Sequence, residues 1–314
     1  MNIAFLRIES SGLLTTVQDR GRFGWEHIGI ARGGAADLPA YIWANRLAMN
    51  EDDAAVIEMT LLGIQVSASL DCWIASTGAL EVRVDGAERP RWAGFWLQAG
   101  KTLEVKTLNG ARAYLAVNGG IQVEPVLGSR STNLESSFGG FAGRALRQGD
   151  KLPLVPTALS YAQNYILRHP HPPTAEKSLE VSVVLGPRLS AFHPDAPKAL
   201  LASRFRVSPQ SNHVGLRLDG ALIPSASSGS RISEPMPVGG VQITPAGQPI
   251  ILLGGRGTIG GYPLLATVAM SSVWALGQVR PGDEVGFRPV TAEEARAWSI
   301  AALRDKTQLV RDSL

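Results

Sequence analysis

The sequence predicts a mainly β protein with a few short helices, and three observations carry the prediction. Turn formers are abundant, with 34 glycines and 20 prolines in 314 residues. Short runs of apolar and β-branched residues lie between them, several alternating with period 2 as half-buried strands do. Only two segments carry the signals that open a helix. Short strands with frequent turns point to barrels or sandwiches rather than a βαβ array.

Taken in order, strands are expected at Ile3–Ile8, Val56–Thr60, Cys72–Ser76, Leu80–Val84, Phe95–Leu97, Thr102–Lys106 and Ala111–Val117. A second set follows at Leu179–Leu185, Phe205–Val207, Val241–Thr244, Ile250–Leu253 and Glu284–Phe287. Leu103-Glu104-Val105-Lys106 shows the alternation plainly. One helix is expected over Leu38–Asn50. Asp37 can cap it, and Pro39 is tolerated in its first turn. Thr291-Ala-Glu-Glu294 is a capping box that opens a second helix, to about Arg304.

Arg147-Gln-Gly-Asp150-Lys-Leu and Arg280-Pro-Gly-Asp283-Glu-Val share the pattern R-x-G-D-x-[LV]. Each reads as a tight turn feeding a strand, with Gly supplying the turn conformation. The echo fits two similar β domains that end in the same hairpin. Lys151-Leu-Pro-Leu-Val-Pro156 closes the first, and His169-Pro-His-Pro-Pro173 cannot hold a helix. Domains are expected over 1–155 and 156–314.

Composition excludes several function classes. The chain is 45% hydrophobic and 18% charged, which supports a large core and argues against disorder. Net charge is only +3, and the basic residues are scattered, without the clustering a nucleic-acid surface needs. No stretch approaches the ~18 apolar residues of a membrane span, and MNIAFLRIESS has no signal core, so a cytoplasmic protein is expected. Cys72 stands alone, in an apolar stretch typical of a buried structural thiol.

Motifs of the commoner enzyme classes fail on context. Gly255-Arg-Gly257-Thr-Ile-Gly260 matches G-x-G-x-x-G, but Gly261-Tyr262-Pro263 follows it and no βαβ pattern does. There is no phosphate-binding G-x-x-x-x-G-K-[ST] and no G-x-S-x-G elbow. His27, His169, His171, His193 and His213 lack metal-ligand spacing, so no metal is expected on the chain. Polar residues set in glycine-rich turns remain. Loops of that kind present function on a rigid scaffold, and Gly lets backbone approach a ligand closely.

Those turns occur in a specific series. It runs T-V-Q-D-x-G-R-x-G at Thr16–Gly24, G-x-x-D then N-R-L over Gly34–Leu47, and Y-L-A-V-x-G-G-I at Tyr114–Ile121. V-L-G-S-R-S-T at Val126–Thr132 and G-R-x-L-x-x-G-D at Gly143–Asp150 follow. S-P-Q-S-N at Ser208–Asn212, G-x-P-I at Gly247–Ile250, T-x-G-G-Y-P at Thr258–Pro263 and P-G-D at Pro281–Asp283 complete it. In this order, over residues 5 to 290, the chain resembles the KipA family, the C subunits of 5-oxoprolinase. The same module is known as allophanate hydrolase subunit 2 or a biotin-dependent carboxyltransferase-like protein. The resemblance implies two cyclophilin-like β-barrel domains, and as partners a KipI-like B subunit of 5-oxoprolinase together with its A subunit. It also implies ATP-dependent opening of the 5-oxoproline lactam to glutamate, with ATP and Mg²⁺ at the level of the complex. No biotin-attachment A-M-K-M is present, so a carboxyltransferase half would receive carboxybiotin from another protein. A non-catalytic regulatory role is the third alternative.

The family reads D-x-Q-T-T-G-G-Y where this chain has Gly255-Arg-Gly257-Thr258-Ile259-Gly-Gly-Tyr262, and S-N-R-M-G where it has Ser211-Asn-His213-Val214-Gly215. As binding residues we select Asp19, Arg22 and Arg130 in the first half, and Asn212, Arg217 and Tyr262 in the second. The arginines are expected to meet carboxylate or phosphate, and Asn212 and Tyr262 to orient an amide. No residue stands out as a general base.

Overall fold

A computed structural model describes residues 4–156, 165–169, 173, 176–224, 233–304 and 310–313. Strands in the first half are β1 (Phe5–Ser10), β2 (Leu14–Gln18), β3 (Val56–Thr60), β4 (Ile64–Ala68), β5 (Cys72–Gly78), β6 (Leu80–Val84), β7 (Ala87–Arg89), β8 (Ala93–Leu97), β9 (Thr102–Thr107), β10 (Arg112–Val117), β11 (Lys151–Pro153) and β12 (Tyr165–Arg168). Next come β13 (Ser178–Leu185), β14 (Arg204–Val207), β15 (Gly215–Asp219), β16 (Glu234–Pro235), β17 (Gly240–Ile243), β18 (Pro249–Leu252), β19 (Ile259–Gly260), β20 (Leu264–Val268), β21 (Glu284–Pro289) and β22 (Val310–Ser313). The helices are α1 (Leu38–Leu47), α2 (Ala196–Ala202), α3 (Met270–Leu276) and α4 (Ala292–Leu303). The fold is mainly β, as expected.

The chain forms two compact units. One contains residues 1–22, 33–175 and 306–314, and the other contains 23–32 and 176–305. Unit 2 thus takes a ten-residue segment, Phe23–Arg32, from early in the chain.

Unit 1 has two antiparallel sheets, ordered β11-β1-β4-β9-β6-β7 and β2-β3-β10-β5-β8-β12-β22. Leu6, Ile8, Val66, Leu103 and Val105 of the first sheet share one core with Ile57, Met59, Ile74, Phe95 and Leu115 of the second. Every residue of β5 is buried, including the alternate positions that a half-exposed strand would turn to water. Helix α1 covers that other face. The Trp73 indole donates to the Leu47 carbonyl at 2.8 Å, and Thr77 Oγ1 donates to Ala40 O at 2.6 Å. Asp37 caps α1 by accepting from Ala40 N–H at 3.1 Å, with Pro39 in the first turn. The helix ends at Leu47, three residues short of the expected Asn50, and Met49 then turns to φ +56°.

Unit 2 is a closed barrel ordered β13-β20-β17-β18-β15-β14-β21. All its pairs are antiparallel except the closing one, where β13 and β21 run parallel from Ser178↔Glu284 to Val183↔Pro289. Val181, Val183, Phe205, Val241, Ile251, Leu265 and Val285 fill the interior. The α4 capping box forms as expected, with Thr291 Oγ1 accepting from Glu294 N–H and the Glu294 carboxylate accepting from Thr291 N–H.

The sequence echo has a structural counterpart. In each unit the turn places its glycine at positive φ, +89° at Gly149 and +94° at Gly282. The aspartate carboxylate accepts from the arginine N–H three residues earlier, at 2.8 Å for Asp150 and 2.7 Å for Asp283. Gly149 N–H donates to Ile8 O, and Ile8 N–H donates to Asp150 O. Gly282 and Asp283 make the same two bonds with Val207. One turn therefore anchors to one strand in the same way twice.

Candidate functional site

In unit 1 three of the selected residues meet at one bracket. The loop after β2 carries Asp19 and Arg22, and the Gly128–Thr132 turn faces it. Asp19 Oδ1 accepts from Gly21 N–H at 2.8 Å, from Ser129 Oγ at 2.7 Å and from Ser131 Oγ. Its Oδ2 accepts from Arg130 N–H. The carboxylate is thereby saturated by its own protein and is 8% exposed. Arg22 is fully buried. Its Nε donates to Val126 O at 2.9 Å, its Nη2 donates to Ser131 O at 2.8 Å, and its guanidinium lies 4.7 Å from the Phe138 ring centre. Burial pushes its pKa down, and the nearby Asp19 carboxylate opposes that. Arg130 Nε donates to Val123 O at 2.9 Å. These hydrogen bonds knit two motif segments into one structural unit.

In unit 2 the S-P-Q-S-N segment forms the β14–β15 loop. Asn212 Oδ1 accepts from Val214 N–H at 2.9 Å and Gly215 N–H at 3.3 Å, closing an Asx-type turn. Ser211 Oγ accepts from Arg217 N–H at 3.0 Å. The exposed Arg217 lines a cleft of ≈ 300 Å³ with Ser208, Gln210, Asp219, Thr244 and Gln248. That lining can hydrogen-bond a small polar ligand.

Tyr262 lies apart from that cleft, on the loop joining β18 to β20. Its side chain is 45% exposed, and its carbonyl accepts from Gln242 Nε2 at 3.2 Å. This loop is tied to its neighbours by several main-chain bonds. Leu253 N–H donates to Val214 O, Gly255 N–H to His213 O, and Met236 N–H to Thr258 O. The pairs Glu234↔Gly260 and Pro235↔Ile259 add a two-stranded ribbon. Arg256, which sequence reasoning passed over as part of a rejected glycine motif, lies buried beneath it. Its Nε donates to Met236 O at 2.7 Å, and its Nη2 pairs with Glu26 Oε1 at 2.6 Å. Only the flanking glycines marked the position. Glu26 and Arg32 carried no signal, because the unit they join is distant in sequence. The G-x-G-x-x-G run continues into the short strand β19 and then β20, without the helix a pyrophosphate would require.

Two departures from the family pattern lie against each other. A Cβ on Gly255 would sit 2.5 Å from His213 Cδ2 and 2.9 Å from His213 O. The imidazole fills the room a side chain at 255 would take. A Cβ on Gly257 would meet nothing closer than Ile259 O, at 3.4 Å. Gly255→Asp alone is therefore expected to destabilise the protein by about 1–3 kcal/mol, whereas Gly257→Gln is expected to be nearly neutral. Paired urea melts measure both. Equal midpoints for the two variants would contradict this account.

Cys72 is buried, and burial first, then Asp71, pushes its thiol up to about 12, which suits packing rather than nucleophilic chemistry. Among the described residues no group of three His, Cys, Asp or Glu could hold a metal ion. None of the described helices is long and apolar enough to cross a membrane.

Residues 28–289 match the family model described as carboxyltransferase domain, subdomain A and B. The chain is 36% identical over 298 residues to the C subunit of Escherichia coli 5-oxoprolinase, covering 92% of this chain and 93% of that protein. It is 30% identical to urea amidolyase of Saccharomyces cerevisiae, where it covers 93% of this chain but only 17% of that protein. The solved K. lactis urea amidolyase superposes with a TM-score of 0.88 at 26% identity, over 97% of this chain and 20% of that one. The chain belongs to the carboxyltransferase-domain family that also contains these proteins.

Proposed function

We propose that this protein is the C subunit of an ATP-dependent 5-oxoprolinase, acting in the cytoplasm with a KipI-like B subunit, and with the A subunit as third component. The observation that carries the reading is sequence identity. It is 36% over 298 residues to the E. coli 5-oxoprolinase C subunit, against 30% to the S. cerevisiae urea amidolyase. An unstrained lactam is a poor electrophile. ATP, when bound by the complex, supplies phosphorylation of the lactam oxygen and so creates a leaving group. The sequence has no G-x-x-x-x-G-K-[ST] phosphate-binding loop, and among the described residues no group of three His, Cys, Asp or Glu is placed to hold Mg²⁺, so the residues present do not fit an ATP·Mg²⁺ site of that kind. We therefore assign ATP and Mg²⁺ to the partner's side, and no step on this chain runs through them. This chain supplies polar loops on rigid barrel strands that bind and orient the lactam.

The test is reconstitution. The chain is co-purified with its KipI-like partner and the third component, and ATP hydrolysis is followed with and without 5-oxoproline. Stimulation by the lactam is expected, and its absence with all three proteins present would remove the reading. A second reading has its own support, the carboxyltransferase description of the family and the urea amidolyase fold. In that case the chain would move CO₂ from a carboxybiotin carried on another protein to urea or a related amide. Transfer from a separately biotinylated carrier, with no lactam-stimulated ATP hydrolysis, would select it.

A further inference from the structure

Arg256 presents a charge that its own protein satisfies only in part. It is 4% exposed. Nε and Nη2 have partners, but Nη1 is buried with none among the described residues. A buried guanidinium with open donors is costly to retain unless something else meets it. Arg32, in the same Phe23–Arg32 segment as Glu26, is half-buried, and its guanidinium lies 4.0 Å from the Phe23 ring centre. No hydrogen bond from its side chain is found among the described residues. Burial lowers its pKa; Glu26 raises it and Arg256 lowers it further, so the three charges feel one another. Two arginines against one glutamate leave a net charge of one positive unit, and of the three only Arg256 is buried.

We propose that Arg256, with Arg32 beside it, anchors the carboxylate of the small-molecule substrate, using the donors that Glu26 and Met236 leave open. A planar carboxylate takes two parallel N–H donors from a guanidinium, and such bonds are about twice as strong as neutral ones. Glu26 has a positioning role: its bond to Nη2, with the Nε bond to Met236 O, fixes the plane of the Arg256 guanidinium and leaves Nη1 without a partner among the described residues. The choice of a carboxylate rests on the 5-oxoproline reading, because that lactam carries one such group and urea carries none.

The experiment is calorimetric titration of the intact chain alone with 5-oxoproline, its uncharged methyl ester and inorganic phosphate. Saturable binding of 5-oxoproline is expected, with none of the ester and weaker binding of phosphate. Arg32→Gln is expected to raise Kd about tenfold, or ~1.4 kcal/mol, with an unchanged circular dichroism spectrum. Arg256→Gln should abolish binding. Since it also removes the bond to Met236, Arg256→Lys serves as the second variant and should restore part of the affinity. Equal binding of ester and acid would overturn the proposal, as would phosphate binding without 5-oxoproline binding, or wild-type affinity in Arg32→Gln. No binding of any anion by the wild-type chain would also overturn it. The titration uses no ATP and no partner, so failure of the oxoprolinase reading in the reconstituted assay leaves this result separate.

Discussion

Gly63→Ala is expected to cost unit 1 about 4 kcal/mol or more, at the exceptional end for a single methyl group. The residue joins β3 to β4 where two strands and a turn stack backbone on backbone. A Cβ there would lie 1.6 Å from Val105 O and 2.5 Å from the carbonyl carbon. No rotamer change relieves such a contact, because the obstructing atoms are main chain. Val105 pairs with Ile64, so the strain enters the β4–β9 ladder directly. Gly12 also packs closely on this turn, since a Cβ built on it would lie 2.1 Å from Gly63 O. Urea denaturation followed by tryptophan fluorescence reads the effect. A variant within about 1 kcal/mol of wild type would show that the strand stack is looser than described.

The second large effect is expected at Asp19. Asp19→Ala would leave the Ser129 and Ser131 hydroxyls and the Gly21 and Arg130 amides without their acceptor, while Arg22 stays buried nearby. Removing a buried, hydrogen-bonded charge of this kind typically costs about 3–5 kcal/mol. Asp19→Asn keeps one acceptor oxygen and should lose roughly half of that. Because the bracket positions Arg130, activity in the reconstituted complex is expected to fall in parallel with stability. If Asp19→Ala melts like wild type while lactam-stimulated ATP hydrolysis disappears, Asp19 is a substrate ligand and the bracket reading is wrong.

The strands legible in the sequence were those whose side chains sort into two environments or form short β-branched runs. Val56–Thr60 and Leu80–Val84 have the same limits in the structure as in the sequence. β2 was not legible. Thr15, Thr16 and Gln18 are buried along with Val17, so polar and apolar residues share both faces and no alternation survives. α2 and α3 have seven residues each, under two turns of helix, and seven residues are too few for a 3.6-residue period to show. The start of the strand expected from Ile3 lies outside the described residues, as does His171. For the site, the loop motifs correctly marked segments that converge, since Asp19, Arg22 and Arg130 do meet. Their roles were less legible. Residue type shows that Asp19 can bind something, but only the fold shows that four donors of its own chain already do. The Glu26–Arg256 pair spans 230 residues, and neither partner carries a local cue to the other.

The parallel seam of unit 2 bears on how the protein is made. β13 is the first barrel strand to leave the ribosome, and both its neighbours, β20 and β21, come last. Leu185 and Leu264 are about 80 residues apart, so at ordinary elongation rates β13 waits roughly 4–16 s with both edges unpaired, and its β21 edge stays open about 20 residues longer. An open apolar strand of that kind recruits other chains. The nascent chain is therefore most exposed to aggregation in the interval before residue 289 emerges, which makes co-translational chaperoning a more sensitive determinant of yield than the stability of the finished barrel.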